Sequence, residues 1–319
     1  MIRDEFYKRF LVKKAELISL HKEDVKQGHF LNRIIKVATE GWTIELDNRY
    51  ANDFIKKLGL ETAHPVATPG SNEQKGEGHD DKKLDHVSHR LYRSCTGIAQ
   101  YMSEFRMDIS YAVKELAKEA SQPAEGSMRR LKRLGRYLRG RPQAVLTIPW
   151  SKSQSESHTV HVVVDSDWAG DAKTRRSTSG GTAFIDNCPL KHWSTTQATI
   201  SLSSAEAELK SIVKGAIEGI YIRNVLSQQA APKKYELIVW TDSSSAKAIM
   251  QRLGTGRRAK HIDIQSLWLQ EQVHNNIFTI RKVNTLDNVA DMLTTHRAQK
   301  YLRSTRPRRR LQVPSSIAF

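Results

Sequence analysis

Two apolar, β-branched runs in the second half of the chain each end in an acid, and no other feature narrows the possible folds as much. Val162-Val163-Val164-Asp165 and Val239-Trp240-Thr241-Asp242 both read as buried strands with a carboxylate at the carboxyl end. Further strands are predicted at 181–185 and 191–194, joined by a turn around Asn187-Cys188-Pro189, and at 277–281. Ser203-Ser204 caps a long helix carrying Leu209, Ile212, Val213, Ala216, Ile217 and Ile220. A short helix at 246–253, another at 262–273 and a last helix from Leu286 onward complete the order β-β-β-α-β-α-α-β-α. That order predicts a mixed sheet covered by helices. If the two acid-ending strands are parallel neighbours, both carboxylates emerge at one sheet edge, where α/β folds open a binding crevice. Taken singly, each Asp reads better as a strand-end turn residue or a helix cap.

Two more acids fit the same crevice. Glu208 precedes Leu209 and stands four residues before Ile212, so it borders the sheet-facing side of its helix. Gly215 and Gly219 continue its row and would allow close backbone approach, whereas Glu206 projects elsewhere as a solvent or capping acid. Asp291, in Asn288-Val289-Ala290-Asp291-Met292-Leu293, starts the last helix, where an ordinary first-turn acid is also at home. Four converging acids repel one another unless cations lie among them. Oxygen-only ligation suits Mg²⁺, with Mn²⁺ as a substitute, and not zinc. Two such ions about 4 Å apart suit in-line phosphodiester hydrolysis. No Ser-His or Cys-His nucleophile is evident, and none is required.

The net charge of +17 is concentrated. Residues 126–142 hold Arg129, Arg130, Lys132, Arg133, Arg136, Arg139 and Arg141 without an acid, and 297–319 hold seven more cations, also without an acid. One-signed clusters point to a polyanion such as nucleic acid, against the plainer alternative of a solvated helix face and a basic tail. Cys95 and Cys188 make neither a zinc site nor a disulfide framework. No run approaches the ~18 apolar residues of a membrane span. The charged start, Met1-Ile2-Arg3-Asp4-Glu5-Phe6, does not read as a secretory signal, which leaves the compartment open between cytoplasm and nucleus. Pro307-Arg308-Arg309-Arg310 is a weak nuclear signal at most.

The first half reads as a strand at 30–37, a second at 42–46 and a helix at 48–58. A Pro/Gly-rich linker at 63–85 leads to three helices, the third being the basic one over Met128, Leu131, Leu134 and Leu138. Pro142 and the polar run 151–157 divide the chain into 1–150, 151–296 and a basic tail at 297–319.

Val164-Asp165-Ser166-Asp167-Trp168-Ala169-Gly170-Asp171, Arg175-Arg176-Ser177-Thr178-Ser179-Gly180-Gly181 and Trp193-Ser194 resemble the ribonuclease H domain of copia-type LTR retrotransposon Pol polyproteins. Leu202-Ser203-Ser204-Ala205-Glu206-Ala207-Glu208, Thr241-Asp242-Ser243, Lys260-His261-Ile262-Asp263-Ile264 and Ala290-Asp291-Met292-Leu293-Thr294 continue the resemblance in order. It implies a ribonuclease H-like α/β fold, a five-stranded mixed sheet with strands one and four adjacent, flanked by helices. It also implies that Asp165, Glu208, Asp242 and Asp291 are the metal-binding catalytic acids. Phe30-Leu31-Asn32-Arg33-Ile34-Ile35, Trp42-Thr43-Ile44-Glu45-Leu46 and Pro65-Val66-Ala67-Thr68-Pro69-Gly70 resemble the end of the reverse transcriptase domain. Tyr92-Arg93-Ser94-Cys95-Thr96-Gly97 and Met107-Asp108-Ile109-Ser110-Tyr111-Ala112-Val113 resemble the connecting segment, implying a smaller, mostly helical α+β unit before the five-stranded sheet. No paired-Asp polymerase motif precedes Phe30, and Asp80-Asp81 lies in a polar loop, so a truncated copy without polymerase activity is expected. The loop 283–287 lacks the His that many ribonucleases H place before the last acid, and Thr295-His296 replaces the usual Thr-Lys; both changes bear on turnover more than on metal binding.

The resemblance implies an RNA–DNA hybrid as substrate and no small-molecule cofactor. Contacts to 2′-hydroxyls across the minor groove would select the RNA strand. Arg175, Arg176 and Lys260, with Arg129, Arg130, Lys132, Arg133 and Arg136, are the candidate phosphate contacts; for each, simple solvation is the alternative. A decayed, non-catalytic nucleic-acid-binding remnant is the competing function, and an integrase-like nuclease is disfavoured by the motifs between the acids. Removing 297–319 is expected to flatten the salt dependence of nucleic-acid binding, by up to ~0.9 log unit per lost phosphate contact. An unchanged slope in a salt titration would show the tail to be a bystander.

Overall fold

The computed structural model describes residues 9, 16–71, 82–150, 157–186, 188–228, 234–252 and 264–296, the side chains of 264–266 excepted. In the first half, β1 (Gln27–Phe30), β2 (Arg33–Ala38) and β3 (Gly41–Leu46) form an antiparallel meander, and β4 (Val145–Pro149) adds to β3. The single strand expected at 30–37 is therefore a hairpin. Leu31 and Asn32 take φ of 48° and 60°, the left-handed pair a two-residue turn requires. Leu31 hides this turn inside an apolar run. The strand at 145–149 is an element that local pattern did not reveal, because its partner lies about a hundred residues earlier in the chain.

The helices α1 (Arg49–Lys57), α2 (His86–Ser103), α3 (Met107–Lys118) and α4 (Glu125–Gly140) pack around Phe54, Tyr92, Leu131, Leu134 and Leu138. Asp85 caps α2 by accepting from the Val87 and Ser88 N–H groups. A buried polar triad fastens α3 to α4. Arg106 donates through Nε and Nη2 to both Asp108 oxygens, at 2.9 and 2.7 Å, and the Tyr137 hydroxyl donates to Asp108 Oδ2 at 2.7 Å. Burial pushes the Asp108 carboxyl up, yet Arg106 and Tyr137 outweigh it and hold the group below its ordinary value.

The second half is a five-stranded sheet with a core of its own on the α5 side. Its elements are β5 (Ser157–Asp167), β6 (Thr178–Ile185), β7 (Cys188–Thr196), α5 (Ser204–Ser227), β8 (Lys234–Thr241), α6 (Ser244–Met250), α7 (Ile264–His274) and β9 (Thr279–Lys282). The spatial order is β7-β6-β5-β8-β9, with β5 antiparallel to β6 and parallel to β8. This is the ribonuclease H-like arrangement, with the first and fourth strands side by side. Gly215 lets α5 lie on the sheet: a Cβ there would come within 2.5 Å of Val164 Cγ1. The last helix expected from Leu286 is instead two 3₁₀ turns, Thr285–Asp287 and Val289–Leu293. Asn284 and Asn288 each accept an N–H two residues on, and the extended backbone at Asn288 breaks the run. Among the described residues no helix is long and apolar enough to cross a membrane.

The two halves touch along α3, which packs on β7 and on the turn Val289–Leu293. Lys114 Nζ donates to Thr178 Oγ1 at 2.6 Å, and Lys118 pairs with Asp171 at 3.0 Å. His192 Nε2 lies 2.8 Å from the Ser103 carbonyl oxygen. Removing one partner of a buried ion pair strands the other charge. Asp108→Ala is therefore expected to cost about 3–5 kcal/mol. Urea unfolding of the full chain measures this, and a loss below about 1 kcal/mol, the usual worth of an exposed pair, would contradict it.

Candidate active site

The strands place the first two acids by register. Val163 pairs with Trp240 at the end of the β5–β8 ladder, so Asp165 and Asp242 lie two residues beyond it on neighbouring parallel strands. The Ser203 hydroxyl accepts from the Glu206 N–H and starts α5. Glu206 in turn accepts from the Leu202 N–H at 2.8 Å, which is the capping role expected of it. Glu208 then falls over the end of β5. One carboxylate oxygen from each of Asp165, Glu208 and Asp242 lies within 4.8 Å of the others.

Asp291 stands outside this triad but near enough to act on it electrostatically: its charge helps raise both Asp165 and Glu208. Its 3₁₀ turn is pressed against the sheet where β6 has no side chain, since a Cβ on Gly180 would meet Thr294 Cγ2 at 2.7 Å. The Ser194 hydroxyl donates to the Leu293 carbonyl at 2.6 Å, and Asn288 Nδ2 donates to the Val164 carbonyl at 3.2 Å.

Several polar groups that no motif singled out as functional hold the acids. Ser166 donates from both its N–H, at 3.2 Å, and its hydroxyl, at 2.8 Å, to Glu208 Oε1. The Thr294 hydroxyl donates to Asp165 Oδ2, and the Ser211 hydroxyl donates to the Asp165 carbonyl oxygen at 2.7 Å. Ser166 is betrayed by adjacency to Asp165 and Thr294 by its place three residues after Asp291. Which oxygen each reaches is visible only in the fold.

Burial, then the Glu208 charge, lifts the Asp165 carboxyl well above the carboxylate range, and the Thr294 hydrogen bond only partly opposes this. Burial likewise pushes Glu208 to about 7, against the two bonds from Ser166. Glu208 Oε2 is buried and has no hydrogen-bond partner among the described residues. Such an orphaned oxygen, on a member of a three-carboxylate cluster, fits a hard divalent cation.

The candidate phosphate contacts separate into different environments. Arg175 and Arg176 are exposed on the loop after β5. Arg130 is held by both Glu119 oxygens at 2.6 Å, Arg133 donates to Thr68 Oγ1 at 2.9 Å, and Arg136 donates to the His64 carbonyl at 2.8 Å. Arg139 and Arg141 donate to the Ala63 and Ala67 carbonyls. Much of the basic stripe thus fastens the segment 63–68 to α4, and Arg129 and Lys132 are exposed. Lys260 and the tail 297–319 lie outside the described residues.

No family model matches the chain. It is 29% identical over 291 residues to the retrovirus-related Pol polyprotein from transposon RE2 of Arabidopsis thaliana, covering 91% of this chain and 19% of that protein. The Pol polyprotein from transposon TNT 1-94 of Nicotiana tabacum is 28% identical over 255 residues, 77% of this chain and 18% of that protein. An uncharacterised mitochondrial protein of Arabidopsis thaliana is 31% identical over 191 residues, 60% of this chain and 76% of the relative. This chain therefore spans about a fifth of the length of the Pol relatives. Among solved structures, the N-terminal RNase H domain of rv2228c from Mycobacterium tuberculosis aligns at 17% identity and a TM-score of 0.30, over 43% of this chain and 90% of that one.

The raised Glu208 carboxyl has a consequence for stability. Between the ordinary glutamate value near 4.5 and about 7, the folded chain holds a proton that the unfolded chain has lost, so stability falls as pH rises through that window. In EDTA, Glu208→Gln is expected to gain on the order of 3 kcal/mol over the parent as pH rises across it. Unfolding curves at a series of pH values test this, and parallel profiles for the two proteins would refute it.

Proposed function

We propose that this chain, which belongs to the copia-type retrotransposon Pol polyprotein family, is an endonuclease that hydrolyses the RNA strand of RNA–DNA hybrids. The observation that carries this reading is the carboxylate triad within 4.8 Å at the end of two parallel strands, in which one buried Glu208 oxygen has no hydrogen-bond partner among the described residues. Asp165, Glu208 and Asp242 would hold divalent cations, two Mg²⁺ or alternatively Mn²⁺, with Asp291 completing the set from its 3₁₀ turn. When bound, the ions supply Lewis-acid stabilisation of charge on the phosphodiester.

The chain's own groups prepare that chemistry. Ser166 occupies Glu208 Oε1 and leaves the buried Oε2 without a hydrogen-bond partner among the described residues. Thr294 orients the Asp165 carboxylate, and burial keeps water from screening the acids. Arg175 and Arg176, exposed just beyond Asp165, are placed to hold phosphates, with Arg129 and Lys132 as contacts farther along a duplex. The fit of three acids to a hard cation supports an enzyme over a decayed binding remnant. No polymerase activity is proposed.

Asp165→Asn is expected to reduce Mg²⁺-dependent cleavage of an RNA–DNA hybrid to background while the protein still binds the hybrid. Gel analysis of cleavage alongside a binding titration separates the two readings. Binding without EDTA-sensitive cleavage by the parent would favour the remnant, and full cleavage by the variant would remove Asp165 from the mechanism.

A further inference from the structure

The loop that follows β5 is tied down at many points. The Ala169 N–H donates to Ser177 Oγ at 3.0 Å, and the Lys173 and Thr174 N–H groups donate to Asp171 Oδ1, each at 3.0 Å. The Arg175 N–H donates to the Asp171 carbonyl at 2.8 Å, and Lys118 of α3 grips the Asp171 side chain. Ala169 and Arg175 are kept at φ of 54° and 57°, a conformation that side-chain-bearing residues hold only when their surroundings impose it. A loop fastened in this way could bury its aromatic residue. Trp168 is instead 53% exposed.

Its ring is nevertheless fixed. The indole N–H donates to the Ser201 carbonyl at 3.0 Å, which lays Trp168 against the turn entering α5. On either side of Ser201, Ile200 and Leu202 are 53% and 69% exposed. That turn is held too, since Lys210 Nζ donates to Thr199 Oγ1 and Ser201 Oγ, and Glu206 accepts from the Leu202 N–H. Scattered exposed apolar side chains are ordinary, but three on two converging, immobilised loops form a patch.

Both loops lead directly to the acids. Trp168 is three residues past Asp165, and Leu202 is six before Glu208. The Trp168 loop also carries Lys173, Arg175 and Arg176, all exposed. The occupant must therefore offer apolar faces and dense negative charge together, which is the chemistry of a nucleic-acid strand. We propose that Trp168, flanked by Ile200 and Leu202, is an apolar platform on which the sugar and base faces of that strand pack beside the acid cluster. This rests on the nuclease reading for the identity of the duplex. Packing of this kind is tolerant of sequence, because every nucleotide has an apolar face.

The test uses the full chain in EDTA, so that binding is read without turnover, with a fluorescein-labelled RNA–DNA hybrid titrated at several salt concentrations. Trp168→Ala is expected to weaken binding about tenfold, within the range of one lost stacking contact. Trp168→Phe should recover most of that loss. The slope of log affinity against log salt should stay that of the parent, because a neutral contact releases no counterion. Arg175→Ala should flatten that slope, by up to ~0.9 log unit for one phosphate contact. Equal binding by parent and Trp168→Ala would overturn the platform and leave the nuclease reading standing, as would a loss that Phe fails to recover. Trp168-dependent binding by a parent that never cleaves with Mg²⁺ would uphold the platform and defeat the nuclease. A parent that binds no hybrid defeats both.

Discussion

Parallel pairing of β5 with β8 carries Asp165 and Asp242 to one level of the sheet edge, and the rest of the site answers the electrostatic problem this creates. With Asp242 on the adjacent strand and Asp291 nearby, burial and mutual repulsion lift the Asp165 and Glu208 carboxyls above the ordinary carboxylate range. The surrounding hydroxyls and amides orient the acids but do not neutralise them. Ser166, Thr294 and Ser211 satisfy selected oxygens, and Glu208 Oε2 is left without a partner among the described residues. The arrangement is unfavourable for the protein alone, and its oxygen-only donor set is one that suits a divalent cation.

The first half of the chain takes part in this edge. Helix α3 lies against the 3₁₀ turn that bears Asp291 and reaches the loop after β5 through Lys118 and Asp171. The Arg106–Asp108–Tyr137 triad holds α3 to α4, so the segment upstream of the five-stranded sheet is a preformed support. Tyr111 meets the His296 ring edge-on at 4.7 Å, just past the last acid. The His at the Thr295-His296 departure from the family pattern is thus employed in packing the halves together.

Concentrated positive charge has two different uses here. Along α4 and at its C-terminal end, Arg133, Arg136, Arg139 and Arg141 donate to oxygens of the segment 63–68, beside the apolar packing of Ala63 and Val66 on the helical core. An arginine fork suits this task because it meets carbonyl and hydroxyl oxygens while its stem packs against the helix. Arg175 and Arg176 have no such duty among the described residues and are exposed on a braced loop that follows the Asp165 strand. A charge count alone treats these two groups alike.

Local chemistry written in the sequence determined the order of strands and helices in the second half as far as β9, the capping role of Ser203 and the choice of four acids as candidates. Alternation, helical periodicity and an acid at a strand end are all properties of neighbouring residues, so they survive without a fold. The tertiary structure alone decided the Leu31-Asn32 hairpin, the addition of β4 to β3 and the 3₁₀ form of the Asp291 segment. It also decided that three acids gather closely while Asp291 stands beside them, and that Thr294 serves Asp165 from 129 positions away along the chain. These features depend on groups remote in sequence meeting at a few ångströms, and on which donors burial leaves available.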